Sequence, residues 1–347
     1  LESYQTSPDH YRAIHESAAL GTLGSRGQIA VAGKDRASYL QGLLTNDIQA
    51  LTAGTGCYSA WLTPQGRMLT DMHVFESGDM ILLDVPADQL QSTLQRLDQF
   101  LFSEDVQLAD LAGSLRGVWL HGPRAATLIE RAMSGVDGVA NWADYRNARA
   151  EFNGAPAVVA RVNQLGVPGF CVYISPEQEE TLLVQLREAG ARQADAATLE
   201  AARVEAGYPL FGVDMTEDTI PLEAGIEQRA ISFTKGCYVG QEVIIRVLHR
   251  GHGRVAKKLV GLQIDGTVPP AGAKLLAGTR EVGVITSAAA SPRHGPIALG
   301  YVHRDFVAPG TSLEVEANGM RARATVVPAM DFDRDASMRR SSDASPS

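Results

Sequence analysis

Lys235-Gly236-Cys237-Tyr238-Val239-Gly240-Gln241-Glu242 concentrates more chemical and conformational signal than any other stretch of the chain. A thiol stands two residues after an ammonium and between two glycines, and the apolar run Val243-Ile244-Ile245 follows. The layout predicts a sharp turn that presents Cys237 and then enters a strand. In such a strand Gln241 shares the face of Cys237, while Glu242 either pairs with Arg246 or holds a backbone turn. Two readings of Cys237 stay open on these residues alone. Lys235 beside an exposed sulfur favours the thiolate, whereas a sulfur packed at the start of a strand is simply a small buried hydrophobe.

Working outward, the next segment is basic. No acidic residue occurs from Val243 to Ile264, yet Arg246, Arg250, Arg254, Lys257 and Lys258 do. In a chain of formal charge −9, one such stripe points to an anionic ligand, and the overall sign argues against nucleic-acid binding by the whole surface. His249 and His252 have a spacing that binds metal on a helix, but Gly251 and Gly253 oppose a helix and no third ligand is near, so no metal site is expected. Cys57, Cys171 and Cys237 lie far apart and read as reduced thiols without a zinc or dithiol motif. There is no Gly-x-Gly-x-x-Gly, Walker loop or Gly-x-Ser-x-Gly elbow, which leaves nucleotide hydrolysis and serine hydrolase chemistry without support.

The 347 residues suffice for about two domains, and 45% apolar with 20% charged residues describe an ordinary globular chain. No apolar stretch reaches the ~18 residues that span a bilayer, and the polar N-terminal residues hold no signal core. A cytoplasmic location without membrane contact is therefore expected. Helical spacing over 7–19 leads to two short strands within Leu20–Val31, then to a helix Arg36–Leu44 capped by Asp35. That helix runs into Leu44-Thr45-Asn46-Asp47, which places Asp47 in a turn. A meander is expected at 57–62, 67–75 and 80–85, followed by a helix from Ala87 to Phe102 and strands at 106–108 and 115–120. A second round repeats the plan with a helix at 125–133, strands at 157–162 and 170–174, and a helix at 176–188.

The fold class is thus α+β, a body of two pseudo-duplicated strand-and-helix modules at about 1–113 and 114–200. A short helix from Thr198 to Gly207 sets Glu205 near its C-terminal end, against the helix dipole and beside the loop Gly207-Tyr208-Pro209-Leu210-Phe211-Gly212. Glu205 is there either a solvated carboxylate or a ligand group. Residues 254–328 carry short strands separated by Pro and Gly turns, a small β-barrel, and 329–347 read as a disordered tail.

Residues 235–242 closely resemble the signature of the YgfZ-type folate-binding proteins, whose mitochondrial relatives assist iron–sulfur cluster assembly. The likeness extends to Leu44-Thr45-Asn46-Asp47, the Tyr58–Asp71 strands around Pro64-Gln65-Gly66-Arg67, the 207–212 loop and Ile220-Pro221-Leu222-Glu223-Ala224. These features also resemble the wider aminomethyltransferase superfamily, which contains the T-protein of glycine cleavage. The resemblance implies a T-protein-like body around a channel that binds tetrahydrofolate, with 201–253 completing the channel and the barrel beyond. It implies that Asp47 lies near the reactive folate nitrogen, that Glu205 accepts two hydrogen bonds from the pterin, and that Tyr58 forms an aromatic wall.

Lys235, Gln241 and Arg246 are expected as further folate contacts, and Cys237 with Asp47 as catalytic residues. The YgfZ-type likeness implies an accessory protein for iron–sulfur cluster assembly or repair, and through it for iron–sulfur enzymes that modify tRNA. Its partners would be those enzymes or cluster-assembly proteins, with a polyglutamylated folate tail steered by the stripe from Arg246 to Lys258. The T-protein-like form of Pro221-Leu222-Glu223-Ala224-Gly225 keeps a folate-dependent aminomethyltransferase, with Asp47 as the acid–base group, as the alternative. Direct tRNA binding by the basic stripe is a third reading.

Overall fold

The computed structural model describes residues 5–249 and 254–327. Arg250, His252 and the expected tail from 329 lie outside the described residues, so the reading that His249 and His252 hold no metal lies outside them too. The chain opens with helix α1 (Pro8–Glu16) and the two-residue strand β1 (Ala19–Leu20). The first sheet follows, with β2 (Arg26–Ala32), helix α2 (Arg36–Leu43), the meander β3 (Gly56–Leu62), β4 (Met68–Glu76) and β5 (Met80–Pro86), helix α3 (Leu90–Gln99) and β6 (Gln107–Asp110). Its order is β3-β4-β5-β2-β6, antiparallel throughout.

The second sheet is built from β7 (Arg116–His121), helix α4 (Ala125–Ala132), β8 (Asn147–Phe152), β9 (Ala155–Arg161), β10 (Gly169–Ile174), helix α5 (Pro176–Glu188) and β11 (Arg192–Gln193). Its order is β11-β1-β7-β10-β9-β8. Helix α6 (Ala196–Glu205) and the short helices α7 (Pro221–Ala224), α8 (Glu227–Ala230) and α9 (Gln241–His249) lead to a closed barrel. The barrel strands are β12 (Lys257–Ile264), β13 (Lys274–Ala277), β14 (Arg280–Ser291), β15 (Gly295–His303), β16 (Ser312–Ala317) and β17 (Met320–Val327), in the order β12-β15-β14-β13-β16-β17.

Strand periodicity explains how the two sheets meet. All six residues of β10 are buried. Phe170, Val172 and Ile174 pack under α4 and α5 with Leu128, Ile129, Leu182 and Leu186, while Cys171 and Tyr173 point the other way, into an inter-sheet cluster with Phe75, Leu82 and Trp119. The outer face of the first sheet is closed in the same manner, with Leu40 and Leu43 of α2 and Leu97 of α3 over Ile29, Val31, Val74 and Leu83. Each such aliphatic side chain contributes roughly 1.5–3 kcal/mol on full burial. Helix α6 packs its Ala201 and Val204 against Leu259, Ala289, Leu299 and Tyr301, joining body to barrel.

The expected α+β plan is present, and several local expectations require correction. β1 and β2 do not form one unit, because β1 pairs with β7 and β11 in the second sheet while β2 pairs with β5 and β6 in the first. Asp35 precedes α2 without capping it; its Oδ2 accepts the Asp105 backbone N–H at 2.9 Å instead. The helix expected to reach Phe102 stops at Gln99, where Phe100 and Leu101 bond back to Leu97 and Asp98.

The largest correction concerns the opening stretch. Gly240 takes φ +85°, and Gln241 begins a helix rather than a strand. Ile244 is buried with Val247 and Leu248 beside it, a helical spacing that the short apolar run Val243-Ile244-Ile245 had disguised. No helix of the described residues is long and apolar enough to cross a membrane.

Candidate functional site

A polar row crosses the inner face of the first sheet. Register pairs Gln28 with Asp84, Asp84 with His73, and His73 with Tyr58, so four adjacent strands each contribute one side chain to a single line. Asp84 is fully buried; its Oδ2 meets Arg26 Nε and His73 Nδ1, each at 2.9 Å, and its Oδ1 accepts from Gln28 Nε2 at 3.0 Å. Burial raises its carboxyl pKa, but Arg26, His73 and Gln28 more than offset that and hold it below the ordinary range. His73 is pushed the opposite way from a salt-bridged histidine, since burial and then Arg26 lower its pKa.

Two residues before His73 on the same face, Asp71 accepts the Tyr58 hydroxyl on Oδ2 at 2.7 Å. Its other oxygen, Oδ1, is buried and meets no hydrogen-bond donor among the described residues. Burial, then Asp71, raises the Tyr58 phenol well above its usual range, so Tyr58 remains the donor. Arg229 of α8 lies over both Tyr58 and Tyr208, with its guanidinium carbon 5.1 Å and 4.4 Å from the two ring centres. Tyr208 in turn reaches His73 Nε2 at 3.3 Å.

Arg229 and Tyr208 form part of the wall of a cavity of about 660 Å³ where the three parts of the molecule meet. Asn163, Gln164 and Gly166 come from the loop after β9, Ala206 to Tyr208 from the end of α6, Glu227 to Arg229 from α8, and Lys258 to Val260 with Val307 and Pro309 from the barrel. A second cavity of about 670 Å³ lies between Met80, Leu82, Val158 and Tyr173, with Arg149 and Glu151 also in its wall. The first is the candidate site, because its wall draws polar groups from all three parts of the molecule and meets the buried polar row through Tyr208 and Arg229.

The residues singled out from the sequence fall in different places. Tyr58 is buried behind the cavity wall, held to Asp71 and covered by the wall residue Arg229. Glu205 ends α6 one residue before the cavity wall, and its carboxylate accepts from Tyr11 Oη at 2.9 and 3.1 Å, with His15 Nε2 at 3.7 Å. Asp47 is half-buried in a turn, accepting from Gln41 Nε2 and the Ala50 N–H. Its neighbour Asn46 reaches the site backbone, donating Nδ2 to the carbonyls of Tyr58 and Arg229.

Lys235 donates to the carbonyls of Gln41, Leu44 and Asn46 at 2.6–2.7 Å, and its titratable neighbours are Asp47 and Cys57. It therefore ties its loop to the C-terminus of α2 instead of serving as the cation beside Cys237. Burial pushes the Lys235 ammonium down to about 8 and the Cys57 thiol up to about 12. Cys237 is exposed, Gln241 opens α9, and Arg246 projects from that helix; none of the three lines the cavity. The three cysteines are free, as expected, and no metal-binding cluster occurs among the described residues.

Asp71, His73, Asp84, Tyr208 and Arg229 were not singled out from the sequence. One signal was available: Asp71 and His73 interrupt the apolar strand Met68–Phe75 at a spacing of two, and Asp84 interrupts Ile81–Val85. Polar groups on the buried face of a strand need partners, and here each other is what they find.

An α+β body of two sheets, a closed barrel and a cavity at their junction set the class of protein. The GCVT N-terminal domain matches residues 3–235, and the glycine cleavage T-protein C-terminal barrel domain matches residues 257–333. The chain belongs to the glycine cleavage T-protein family. It is 31% identical to the aminomethyltransferase of Rubrobacter xylanophilus over 84% of this chain and 78% of that one. It is 29% identical to that of Thermus thermophilus over 94% of this chain and 90% of that one. The crystal structure of the glycine cleavage system aminomethyltransferase T from Bartonella henselae superposes with a TM-score of 0.83, at 24% identity, over 94% of this chain and 90% of that one, which shows the shared fold. The wider superfamily expected from the sequence is thus the right one, and the Cys237 stretch falls almost entirely between the two matched segments.

Proposed function

We propose that this chain binds tetrahydrofolate at the three-way cavity and catalyses a folate-linked one-carbon transfer of the aminomethyltransferase type. The observation that carries this reading is the buried Asp71 carboxylate behind the cavity wall, joined to it through Tyr58 and Arg229, with Oδ1 meeting no donor among the described residues. A reduced pterin suits these groups: its N–H donors match the unfilled carboxylate oxygen, and its ring matches Tyr208. When bound, tetrahydrofolate supplies a nitrogen that takes up the one-carbon unit.

The residues of the chain do the rest. Asp71 accepts or returns a proton at Oδ1, while Oδ2 stays committed to Tyr58. Arg229 keeps local positive charge against Asp71 and anchors the two tyrosine rings. Glu205, tied to α1, fixes the end of α6 from which the wall residues Ala206 to Tyr208 continue. Lys258 in the wall, with Arg254 and Lys257 next to it in sequence, offers positive charge to a polyglutamylated tail, and Arg246 adds to the long-range field.

A second reading has one observation in its favour. Cys237 is exposed in a stretch that resembles the YgfZ-type signature, which would make the chain a folate-binding accessory of iron–sulfur enzymes or cluster-assembly proteins, and through them of tRNA modification. Tetrahydrofolate binding and formation of methylene-tetrahydrofolate from aminomethyl donors separate the two, with Asp71→Asn and Cys237→Ala as variants. The transferase reading expects Asp71→Asn to lower turnover roughly 100-fold or more while Cys237→Ala leaves it intact. Folate binding without turnover, with loss of cluster-dependent tRNA thiolation in Cys237→Ala cells, would establish the accessory role instead. Absence of any folate binding by the wild-type chain would remove both.

A further inference from the structure

We propose that the three-way cavity also holds a receptor for a small α-amino acid, in which Arg229 takes the carboxylate and Glu227 the ammonium group. Any part this ligand plays in one-carbon transfer rests on the folate reading above, whereas its binding does not.

Arg229 is a half-buried wall residue whose guanidinium donors the protein leaves unused. Its backbone is pinned, with the N–H bonded to the Ile226 carbonyl and its own carbonyl accepting from Asn46 Nδ2 at 3.0 Å. The head is stacked on Tyr58 and Tyr208, which fix its position, and among the described residues no hydrogen bond or ion pair reaches its nitrogens. The buried Asp71 carboxylate does not take it up, since Oδ2 accepts from Tyr58 and Oδ1 meets no donor among the described residues. A planar guanidinium held on two ring faces, with open N–H groups, is a preorganised fork for a carboxylate.

Two residues earlier on α8, Glu227 lines the same cavity. Its Oε2 is buried and meets no donor among the described residues. Side chains two apart on a helix do not face each other, and no ion pair joins these two. A cation and an anion from one short helix thus meet a common hollow instead of each other. An anion alone, whether a phosphate or the glutamate tail of a folate, would satisfy Arg229 and set negative charge against Glu227; an amine alone would do the reverse. A zwitterion satisfies both, and the side-chain amides of Asn163 and Gln164 in the same wall add neutral polar partners.

The test is titration calorimetry of the full-length chain with glycine and alanine, and with acetate and methylamine as the two halves of the ligand. Wild type, Arg229→Met and Glu227→Gln are compared, with thermal melting to verify that each variant is folded. Wild type should bind an amino acid roughly tenfold more tightly than either half, and each variant should weaken that binding about tenfold, the effect of one lost charge-assisted contact. Glu227→Gln should leave acetate binding unchanged, a split that general damage to the cavity would not give, and it decides the matter by itself if Arg229→Met does not fold. Failure of the wild type to bind either amino acid at millimolar concentration would overturn the proposal, as would amino-acid binding unaffected by Glu227→Gln. Anaerobic titration with tetrahydrofolate distinguishes the sources of carboxylate. Tetrahydrofolate binding that is lost in Arg229→Met, with no amino acid bound by the wild type, would assign the guanidinium to the folate's own glutamate; the proposal would fall and the folate reading would stand. Amino-acid binding without tetrahydrofolate binding would keep the receptor and remove the folate reading.

Discussion

Inside the second sheet His121 carries a measurable consequence of burial. Its Nε2 donates to the Gly21 carbonyl at 3.0 Å, which leaves Nδ1 buried without a partner among the described residues. Burial pushes the imidazole down to about 4 from the ordinary 6.5. Between those values the unfolded chain binds the proton and the folded one does not, so stability is full above about 6.5 and declines as pH falls toward 4. A shift of this size corresponds to about 3 kcal/mol at most. Urea unfolding of His121→Gln, in which the amide retains a donor for Gly21, should show a flatter pH dependence over that window than the wild type. Parallel slopes would show that His121 is not the group responsible. His73 is lowered as well, but there burial and Arg26 outweigh the opposing pull of its Asp84 partner.

At the scale of elements, α2 and the segment from Arg229 to Gly240 act as one unit. Thr45 Oγ1 donates to the Ala230 carbonyl, Asn46 Nδ2 to Arg229, and in return Ser232 and Val239 donate their N–H groups to Thr45 and Gly42. Lys235 completes the seam with three bonds to carbonyls at and beyond the end of the helix, groups that no intrahelical donor can reach. Gly240 ends the segment at φ +85°, where a Cβ would come within 2.5 Å of the Thr63 carbonyl oxygen, so a side chain there is excluded both by conformation and by space. Lys235→Met should lower stability by about 1–3 kcal/mol, since the stem still packs but the carbonyls lose their donor. Denaturant midpoints at a common pH provide the measurement, and an unchanged midpoint would mean that water replaces the ammonium without loss.

For the whole molecule, the critical junction is the one between body and barrel. Arg203, fully buried on α6, donates to the Tyr208 carbonyl, Asp214, Ser287 and Glu200. The register shift between Ile285 and Ser287 brings both the Thr286 and Ser287 hydroxyls onto Asp214 Oδ1. Barrel, α6 and the cavity wall are thereby joined through one guanidinium and one carboxylate. Removing the cation leaves Asp214 buried and uncompensated, so Arg203→Met should cost about 3–5 kcal/mol in urea unfolding. Arg203→Lys should not restore it, because a single ammonium does not reproduce a fork that serves several acceptors. Recovery of wild-type stability by lysine would show that charge alone, and not the forked geometry, holds the barrel to the body.

Much of this architecture is written locally. Helix α5 begins and ends where its periodicity and Pro176 predict, the meander β3–β5 sits within a residue or two of its turns, and all six barrel strands lie between their Pro and Gly breaks. These features depend on residues within a few positions of one another, where propensity and alternation suffice. The motifs that resemble the aminomethyltransferase superfamily are also local, and the family matches agree with them. Tertiary structure decided the rest, because it depends on register and packing between distant residues. It put β1 in the sheet opposite β2, turned the run after Gly240 into a helix once Ile244 found a core, and gave the Lys235 ammonium to α2 instead of Cys237. It also assembled Gln28, Asp84, His73 and Tyr58 into one row from four strands, of which only Tyr58 stands out in its own segment. A hydrogen-bonded row across a sheet exists only when the strands are in register, and register is a property of the folded chain.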